Sequence, residues 1–303
     1  MVKYFLLLCI LIVATSYRLP NNIKIVNSIT HLSVKTDESL SYHDEMLELE
    51  LKAIEKQKQL QQKVRKGSVP DFAIEGDSTI ETPSQQALLM LHFAMVSINV
   101  GLGLNHFTNI GVYEIFSISG TILLSIILGD FATGIFHWSV DNYGSIKTPV
   151  VGTVCAAFQG HHDTPWTITF RSFANNVFKI CYNSIPALGL LLISNPAPHL
   201  QIFFALFMNW WVMSQEFHKY SHMRELPPSV KLLQDSGLIL SKKQHGLHHT
   251  PPFKSHYCIV NGMCNKVLDD SNFFRKLERL VYKMTGNKPN TWRDDPSLQY
   301  LGL

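Results

Sequence analysis

Four long apolar runs dominate the pattern of hydrophobic and polar positions along this chain. They cover roughly residues 87–104, 112–136, 177–194 and 200–213, the last continuing toward Phe217, and apolar positions in them do not alternate with polar ones. Each run approaches the roughly 20 residues that a helix needs to cross a bilayer. Because only helices and closed barrels satisfy their backbone in hydrocarbon, the pattern predicts an all-α integral membrane protein with about four transmembrane helices. Pro186, inside the third run, leaves open a break or a re-entrant arrangement there.

The N-terminal part of the chain has a different pattern. An apolar run of about 11 residues from Tyr4 to Ala14 is too short to span a bilayer and has the length of a signal-peptide core. No Asp or Glu occurs before Asp37, and the acid-poor, hydroxyl-rich composition is typical of a transit peptide. Residues 1–36 are therefore predicted to be a targeting segment, with a plain endoplasmic reticulum signal or an N-terminal anchor as the alternative. Residues 37–84 predict a charged amphipathic helix and a linker, and residues 85–303 the membrane domain.

Basic residues distinguish the two sides of the predicted membrane domain. The links between the first and second runs and between the third and fourth runs contain no Lys or Arg. The loop at 141–176 and the chain after Phe217 do contain them, so the positive-inside rule places these parts on the cytosolic or stromal side. The whole chain has 26 Lys and Arg against 23 Asp and Glu, a net charge of +3, which is too balanced for a nucleic-acid partner bound through phosphates.

Histidines are the most informative residues, since many of the 14 in the chain fall on this basic side. The clustered ones are His137, His161, His162, His218, His222, His245, His248 and His249. His218 and His222 are spaced i, i+4, so both rings project from one helical face. Neutral imidazole is a common ligand of iron, zinc and copper, and the clustering therefore predicts a metal site. The scattered histidines are interpreted as polar caps at the membrane interface: His31, His43, His92, His106 and His199.

The number of clustered histidines indicates two metal ions. A catalytic zinc ion takes about three protein ligands, so this set exceeds one site and fits two metals with four imidazoles each. Neither a His-Glu-x-x-His nor a Cys-x-x-Cys motif occurs, which disfavours a zinc protease and thiolate sites. Asp141, four residues after His137, is a candidate additional ligand, and Asp130 is a candidate partner that orients an imidazole. The predicted site is therefore a histidine-rich di-iron site on the cytosolic or stromal face.

Six segments on the same side resemble a known family. They are GDFATGIFHWSVDNYGS from Gly129, FQGHHDTPWTIT from Phe158, FANN from Phe173, HKYSH from His218, QHGLHHTPP from Gln244 and YCIVNGMCNKVLDD from Tyr257. Together they resemble the membrane lipid desaturase family that contains the plant plastid phosphatidylglycerol trans-3 palmitate desaturase and the animal plasmanylethanolamine desaturase. The similarity is greater to the plastid member, and it covers about residues 85–288.

The resemblance implies an oxidoreductase, a fatty acid desaturase with two iron ions. Such an enzyme uses O2 and two electrons to remove two hydrogens from a glycerolipid chain in the membrane. The resemblance places the clustered histidines at the histidine positions of the family, as iron ligands. It also implies a multi-pass protein of a plastid membrane, in the chloroplast or its thylakoids, and the signal-like core suits a plastid reached through the secretory pathway. The endoplasmic reticulum membrane is the alternative location.

The substrate and the electron donor stay open at this point. Trans-3 desaturation of palmitate in phosphatidylglycerol is expected, with formation of plasmalogen vinyl ethers or lipid hydroxylation as alternatives. A metal transporter is the non-enzyme alternative, and it is disfavoured because the apolar runs contain almost no ionisable residues, His92 being the main exception. No nucleotide, flavin or haem motif occurs, so electrons are expected from a separate carrier, ferredoxin or cytochrome b5.

Overall fold

The computed structural model describes residues 69–107 and 110–300, and the regular structure in these ranges is helical. The helices are α1 (Pro83–Leu104), α2 (Val112–Asn142), α3 (Gly152–His161), α4 (Phe173–Ser194), α5 (Pro198–His222), α6 (Pro228–Asp235), α7 (Lys242–His248), α8 (Asn265–Asp270), α9 (Phe273–Thr285) and α10 (Asn290–Asp294). Short 3-10 turns occur at Thr167–Phe170 and Pro296–Tyr300. The predicted all-α class is confirmed, while the predicted targeting segment and the amphipathic helix after it lie outside the described residues.

Local sequence explains where α1 begins, and α4 continues past a proline. The Thr82 hydroxyl accepts a hydrogen bond from the backbone N–H of Gln85 at 3.3 Å, and the Gln85 side chain accepts one from the Thr82 N–H at 2.9 Å. Pro83 occupies the first helical position, where its missing N–H leaves no bond unmade. The break that the sequence left open at Pro186 does not occur: α4 runs through this proline, ends at Ser194 and is capped by Asn195 in a left-handed conformation with φ 38°.

Helix α5 lies at the centre of the bundle. It packs against α1, α2 and α4, and α1 also packs along α4. Within the described ranges three helices are long and apolar enough to cross a membrane, namely α1, α2 and α4. Helix α5, the fourth predicted span, has 25 residues but is not one of them. Its position explains the difference, because a helix surrounded by other helices can carry polar side chains such as Gln201 and Ser214.

His92 lies inside this bundle, which corrects its interpretation as an interfacial cap. The side chain is fully buried, and its Nδ1 atom lies 2.9 Å from the hydroxyl of Ser184 in α4. Further along α1, the amide of Asn99 accepts a hydrogen bond from Gln201 of α5 at 3.3 Å. The sequence could not show this arrangement, because the face of α1 that is buried depends on where α4 and α5 pack against it.

The C-terminal helices cover the end of α2. Phe274 of α9 packs with Trp138 of α2 and with Tyr257 in the loop before α8. Glu278 of α9 is fully buried and accepts hydrogen bonds from the indole N–H groups of Trp138 at 3.2 Å and Trp292 at 2.9 Å. These contacts tie α9 and α10 to the last turns of α2, which is the part of α2 that carries the predicted site residues.

Candidate metal centre

The histidines that the sequence singles out meet at one end of the bundle, where α2, α3, α5 and α7 come together. The last turns of α2 and of α5 each provide one i, i+4 pair of candidate ligands, and the end of α3 and helix α7 provide the others. By element, they are His137 and Asp141 of α2, His161 and His162 at the end of α3, His218 and His222 of α5, and His245, His248 and His249 at α7. Since every element brings at least two ligand atoms, the packing of the helices sets the geometry.

The first of two groups contains only histidines, and we call it the five-histidine group. Its members are His161, His218, His222, His245 and His249, each with one ring nitrogen within 4.8 Å of the others. The Nε2 atoms of His161 and His222 are 2.9 Å apart, and those of His245 and His249 are 3.0 Å apart. Two nitrogens bound to one ion at about 2.1 Å and at a right angle would be about 3.0 Å apart, so these separations suit a shared ion.

The second group, which we call the aspartate group, combines His137, His162 and His248 with Asp141. Oδ2 of Asp141 lies 3.3 Å from Nε2 of His137, 3.3 Å from Nε2 of His162 and 3.4 Å from Nε2 of His248. A carboxylate among three imidazole nitrogens is a mixed ligand set that suits a transition-metal ion. The expected division into four imidazoles per metal does not occur, because Asp141 takes the fourth place here and a fifth histidine joins the other group.

The two groups adjoin each other. His161 and His162 are consecutive in the chain but belong to different groups, since neighbouring side chains at the end of a helix point about 100° apart. The ring centroids of His162 and His249 are 5.0 Å apart, and those of His137 and His218 are 5.8 Å apart. The arrangement therefore suits two ions held side by side.

Two backbone carbonyls orient imidazoles of the aspartate group. The carbonyl oxygen of Tyr257 lies 3.0 Å from Nδ1 of His137, and that of Ser255 lies 2.9 Å from Nδ1 of His248. A carbonyl oxygen only accepts, so both Nδ1 atoms donate and both Nε2 atoms present a lone pair toward Asp141. Sequence reasoning missed Tyr257 and Ser255 because a backbone carbonyl leaves no signature in residue type.

Several buried polar atoms of the centre have no hydrogen-bond partner in the part of the chain that the structure describes. They include Nε2 of His137 and of His248, both ring nitrogens of His218, and Oδ1 of Asp141. A buried polar atom without a partner costs about 1–3 kcal/mol. Lone pairs of imidazole and carboxylate that face each other also repel, and a cation between them removes both penalties. The residues present therefore fit a pair of metal ions.

Burial keeps the imidazoles of α3 and α7 neutral. It lowers the pKa of His161, His245 and His249 well below the usual value, and neighbouring imidazoles lower it further. The pKa of His248 is lowered by the same burial. Because only neutral imidazole coordinates a metal ion, these side chains are ready to act as ligands at neutral pH.

Asp130 supports the centre indirectly. The sequence predicts that it orients an imidazole, whereas in the structure its buried carboxylate accepts four hydrogen bonds from the loop that follows Tyr257. The four donors are the backbone N–H groups of Val260, Asn261, Gly262 and Cys264, each at 3.0 Å. Because the same loop carries the carbonyl that orients His137, Asp130 acts on that ring through the backbone.

The remaining histidines of the described ranges lie outside both groups. His106 is exposed, and its Nδ1 atom is 2.9 Å from a backbone oxygen of its own helix. His199 lies 3.1 Å from a threonine hydroxyl of α2, and His256 lies 3.0 Å from the carboxylate of Asp269. His31 and His43 lie outside the described residues.

An apolar cavity of about 1310 Å³ extends from the five-histidine group into the bundle. His161 and His218 line one part of its wall, and aromatic side chains such as Phe136 and Phe207 line much of the rest. This volume exceeds that of ordinary ligand pockets, which are about 300–1,000 Å³. The cavity therefore suits a large apolar ligand that reaches the histidines.

The lipid desaturase domain matches residues 126–292 of this chain, and the chain therefore belongs to the lipid desaturase family. The matched stretch includes every member of the five-histidine group and of the aspartate group. The family that the sequence motifs indicated is thus confirmed.

Individual relatives fall into two kinds. Fatty acid desaturase 4-like 1, chloroplastic, of Arabidopsis thaliana is 44% identical over 176 residues, which is 56% of this chain and 59% of the relative. Fatty acid desaturase 4, chloroplastic, of the same plant is 44% identical over 174 residues, or 56% of this chain and 54% of the relative. Plasmanylethanolamine desaturase 1 of Mus musculus is 32% identical over 184 residues, or 55% of this chain and 68% of the relative.

The chain is more similar to these plant relatives than to the mouse one, as the motifs predicted. It spans little more than half the length of the plant relatives. No solved structure matches the chain.

Proposed function

We propose that the protein is an oxidoreductase, a membrane lipid desaturase that uses O2 to introduce a double bond into a glycerolipid chain. One observation carries the proposal: two adjoining ligand groups, one of which lines an apolar cavity, lie within a lipid desaturase domain. The cavity offers a place for a hydrocarbon chain, and the two groups offer a place for two metal ions. The two requirements of the reaction are therefore met side by side.

The proposed metal is iron, with one ion in the five-histidine group and one in the aspartate group. Imidazole combined with a carboxylate is a ligand set that suits iron. Bound iron would supply the activation of O2 and the removal of hydrogen from an unactivated C–H bond. The chain itself keeps the ligands in place, since the carbonyls of Tyr257 and Ser255 hold the rings of His137 and His248.

The electron balance requires a separate donor. Formation of one double bond releases two hydrogens with two electrons, whereas reduction of O2 to two water molecules takes four electrons and four protons. We propose that a one-electron carrier, ferredoxin or cytochrome b5, supplies the other two electrons, and that solvent supplies the other two protons.

The residues that line the cavity support reaction near the head-group end of the lipid. Arg171 and Lys179 line the cavity together with His161 and His218, and aromatic residues such as Phe203 line other parts. A polar head group beside the basic side chains would place the first carbons of its chain next to the histidines. With the greater similarity to chloroplastic relatives, this favours trans-3 desaturation of palmitate in phosphatidylglycerol.

The proposal includes a membrane arrangement. Helices α1, α2, α4 and the central α5 would cross the membrane, with the metal centre on the cytosolic or stromal side that the basic residues indicate. A plastid membrane, reached through the secretory pathway, is the proposed location, and the names of the plant relatives support the plastid.

Ether-lipid desaturation is a second candidate. It is favoured by the relatives named plasmanylethanolamine desaturase, from Mus musculus and from Myxococcus xanthus, the latter 36% identical over 173 residues. The first carbons of an ether-linked chain would reach the same histidines. A lipid hydroxylase would use the same centre and would return one oxygen to the chain.

Lipid analysis of a host that expresses the full chain with an electron donor tests the function. His248→Ala removes a candidate ligand, and His106→Ala changes an exposed histidine outside both groups as the matched control. Wild type and the control should form a trans-3 unsaturated chain in phosphatidylglycerol, and His248→Ala should form at least about tenfold less. Vinyl ethers would identify the ether-lipid reaction, and a chain heavier by one oxygen would identify a hydroxylase.

Metal analysis of the same proteins tests the cofactor. Active wild type should contain about two iron ions per chain. Less than one iron per chain in active enzyme would exclude the di-iron assignment, and metal movement across vesicles without lipid products would favour the transporter.

A further inference from the structure

Residues 69–82 form bends and a turn, without helix or strand, before the family match begins, and we call this segment the strap. Its first half is fastened to the turn after α3. The Thr167 hydroxyl accepts a hydrogen bond from the backbone N–H of Asp71 at 2.9 Å and donates one to the backbone oxygen of Asp71 at 2.9 Å. The indole N–H of Trp166 donates to the backbone oxygen of Val69 at 3.1 Å.

The second half of the strap is fastened to the start of α4. Asp77 forms an ion pair with Arg171, and the backbone oxygen of Thr79 accepts a hydrogen bond from the N–H of Ser172 at 2.9 Å. The strap is therefore held at both ends, with Phe72, Ala73 and Ile74 between the two attachments.

The middle of the strap packs closely on α3. A Cβ atom added to Gly160 would lie 2.5 Å from the Cβ atom of Ala73, which is closer than carbon atoms approach without displacement. Gly160 directly precedes His161, a member of the five-histidine group. The strap thus contacts α3 one residue away from a candidate metal ligand.

Side chains of the strap line the cavity next to the histidines. Phe72 and Ile74 line the same cavity as His161 and His218. Ile80, also in the strap, is not among the residues that line the cavity, and the residue is 76% exposed. The strap therefore contains two isoleucines in different places: Ile74 lines the cavity and Ile80 does not.

We propose that the middle of the strap, with Phe72 and Ile74, is part of the lipid-binding site, and that these two side chains determine which lipid the site accepts. This inference rests on the proposed desaturase function. Because these side chains line the cavity on either side of Ala73, which contacts α3 next to His161, they would pack against the first carbons of the reacting chain. They would then distinguish an ester-linked chain, which begins with a planar carbonyl, from an ether-linked chain, which begins with a methylene.

A competition experiment tests the specificity. The purified full chain is mixed with equal amounts of an ester-linked and an ether-linked phosphatidylglycerol of one chain length, and the retained lipids are quantified by mass spectrometry. Ile74→Ala should change the ratio of retained lipids about fourfold or more, because the ester and ether chains differ at the group proposed to pack against Ile74, and one buried methylene contributes roughly that factor to binding. Ile80→Ala is the matched control and should retain the wild-type ratio.

A compensating pair of substitutions tests the contact between the strap and α3. Gly160→Ala should displace the strap and lower the retained lipid several-fold, because the added methyl group overlaps Ala73. Adding Ala73→Gly removes the overlapping methyl group and should restore most of the binding. If the second substitution restores nothing, the loss comes from His161 alone and the strap has no part in the site.

The two proposals fail in different ways. Lipid products without any change of the retained ratio in Ile74→Ala would overturn the role of the strap and leave the desaturase function intact. A changed ratio with no desaturated product from wild type would overturn the desaturase function and leave the lipid-binding role of the strap.

Discussion

Asp141 has a special position among the residues of the centre. It is the carboxylate that the described structure places within a ligand group, and its Oδ2 atom lies within 3.4 Å of three imidazole nitrogens. Its negative charge would offset part of the charge of a bound cation, which neutral imidazoles cannot do. The side chain is 7% exposed, so water screens this charge little.

Replacing this charge while keeping the shape tests its role. Asp141→Asn should weaken iron binding by about tenfold to a hundredfold, and the iron content should fall from about two toward one per chain. Asp235→Asn, which changes a carboxylate that is 62% exposed, is the control and should leave iron content unchanged. Metal analysis after dialysis against graded chelator measures both variants, and full retention of two irons by Asp141→Asn would contradict the prediction.

At the scale of elements, α2 connects the centre to the loop between α7 and α8. Asp130 of α2 accepts the four backbone hydrogen bonds of that loop. Close packing reinforces the connection, since a Cβ atom added to Gly134 would lie 2.4 Å from the sulfur of Cys258. The loop is thereby positioned so that the Tyr257 carbonyl meets His137.

Removing the Asp130 carboxylate should therefore disturb both the fold and the centre. Asp130→Ala leaves four N–H groups without an acceptor, two of them buried and two partly buried, and should cost more than about 3 kcal/mol of stability. Asp130→Asn keeps one oxygen, which can still serve Val260, Asn261 and Gly262, and should cost less. Thermal unfolding in detergent, with iron content measured in parallel, ranks the variants. Equal stability of Asp130→Ala and wild type would contradict the role of Asp130 in holding the loop between α7 and α8.

At the scale of the whole molecule, the fold buries its candidate ligands in the neutral state. Burial lowers the pKa of His161, His245 and His249, so the folded chain binds fewer protons than the unfolded chain at mildly acidic pH. The free energy of unfolding therefore falls as the pH drops below the unfolded histidine pKa of about 6.5. It continues to fall until the lowered pKa of the folded state is reached.

A pH series on the metal-free protein tests this consequence. The midpoint of thermal unfolding should be highest near neutral pH and should decrease steadily below about pH 6.5. His249→Gln removes one of the titrating groups and should give a shallower decrease. A midpoint that does not depend on pH in the metal-free wild type would show that the buried imidazoles do not govern stability.

Much of the helical framework could be predicted from local patterns. The apolar runs anticipated α1, α2, α4 and α5, because helix formation in an apolar run depends on neighbouring residues. Local patterns could not show that α5 lies at the centre of the bundle, since this position depends on how the other helices pack against it. The burial of His92 was missed for the same reason.

The sequence by itself determined which side chains are candidates for the metal centre and which family the chain belongs to, because i, i+4 spacing and motifs are local properties. Only the tertiary structure decided how these side chains divide into two groups and how Asp130 and the Tyr257 carbonyl support them. It also decided that the strap lines the cavity. The physical reason is distance along the chain: Asp71 and Thr167 are 96 residues apart, and His137 and Tyr257 are 120 residues apart, so only packing of the helices brings them together.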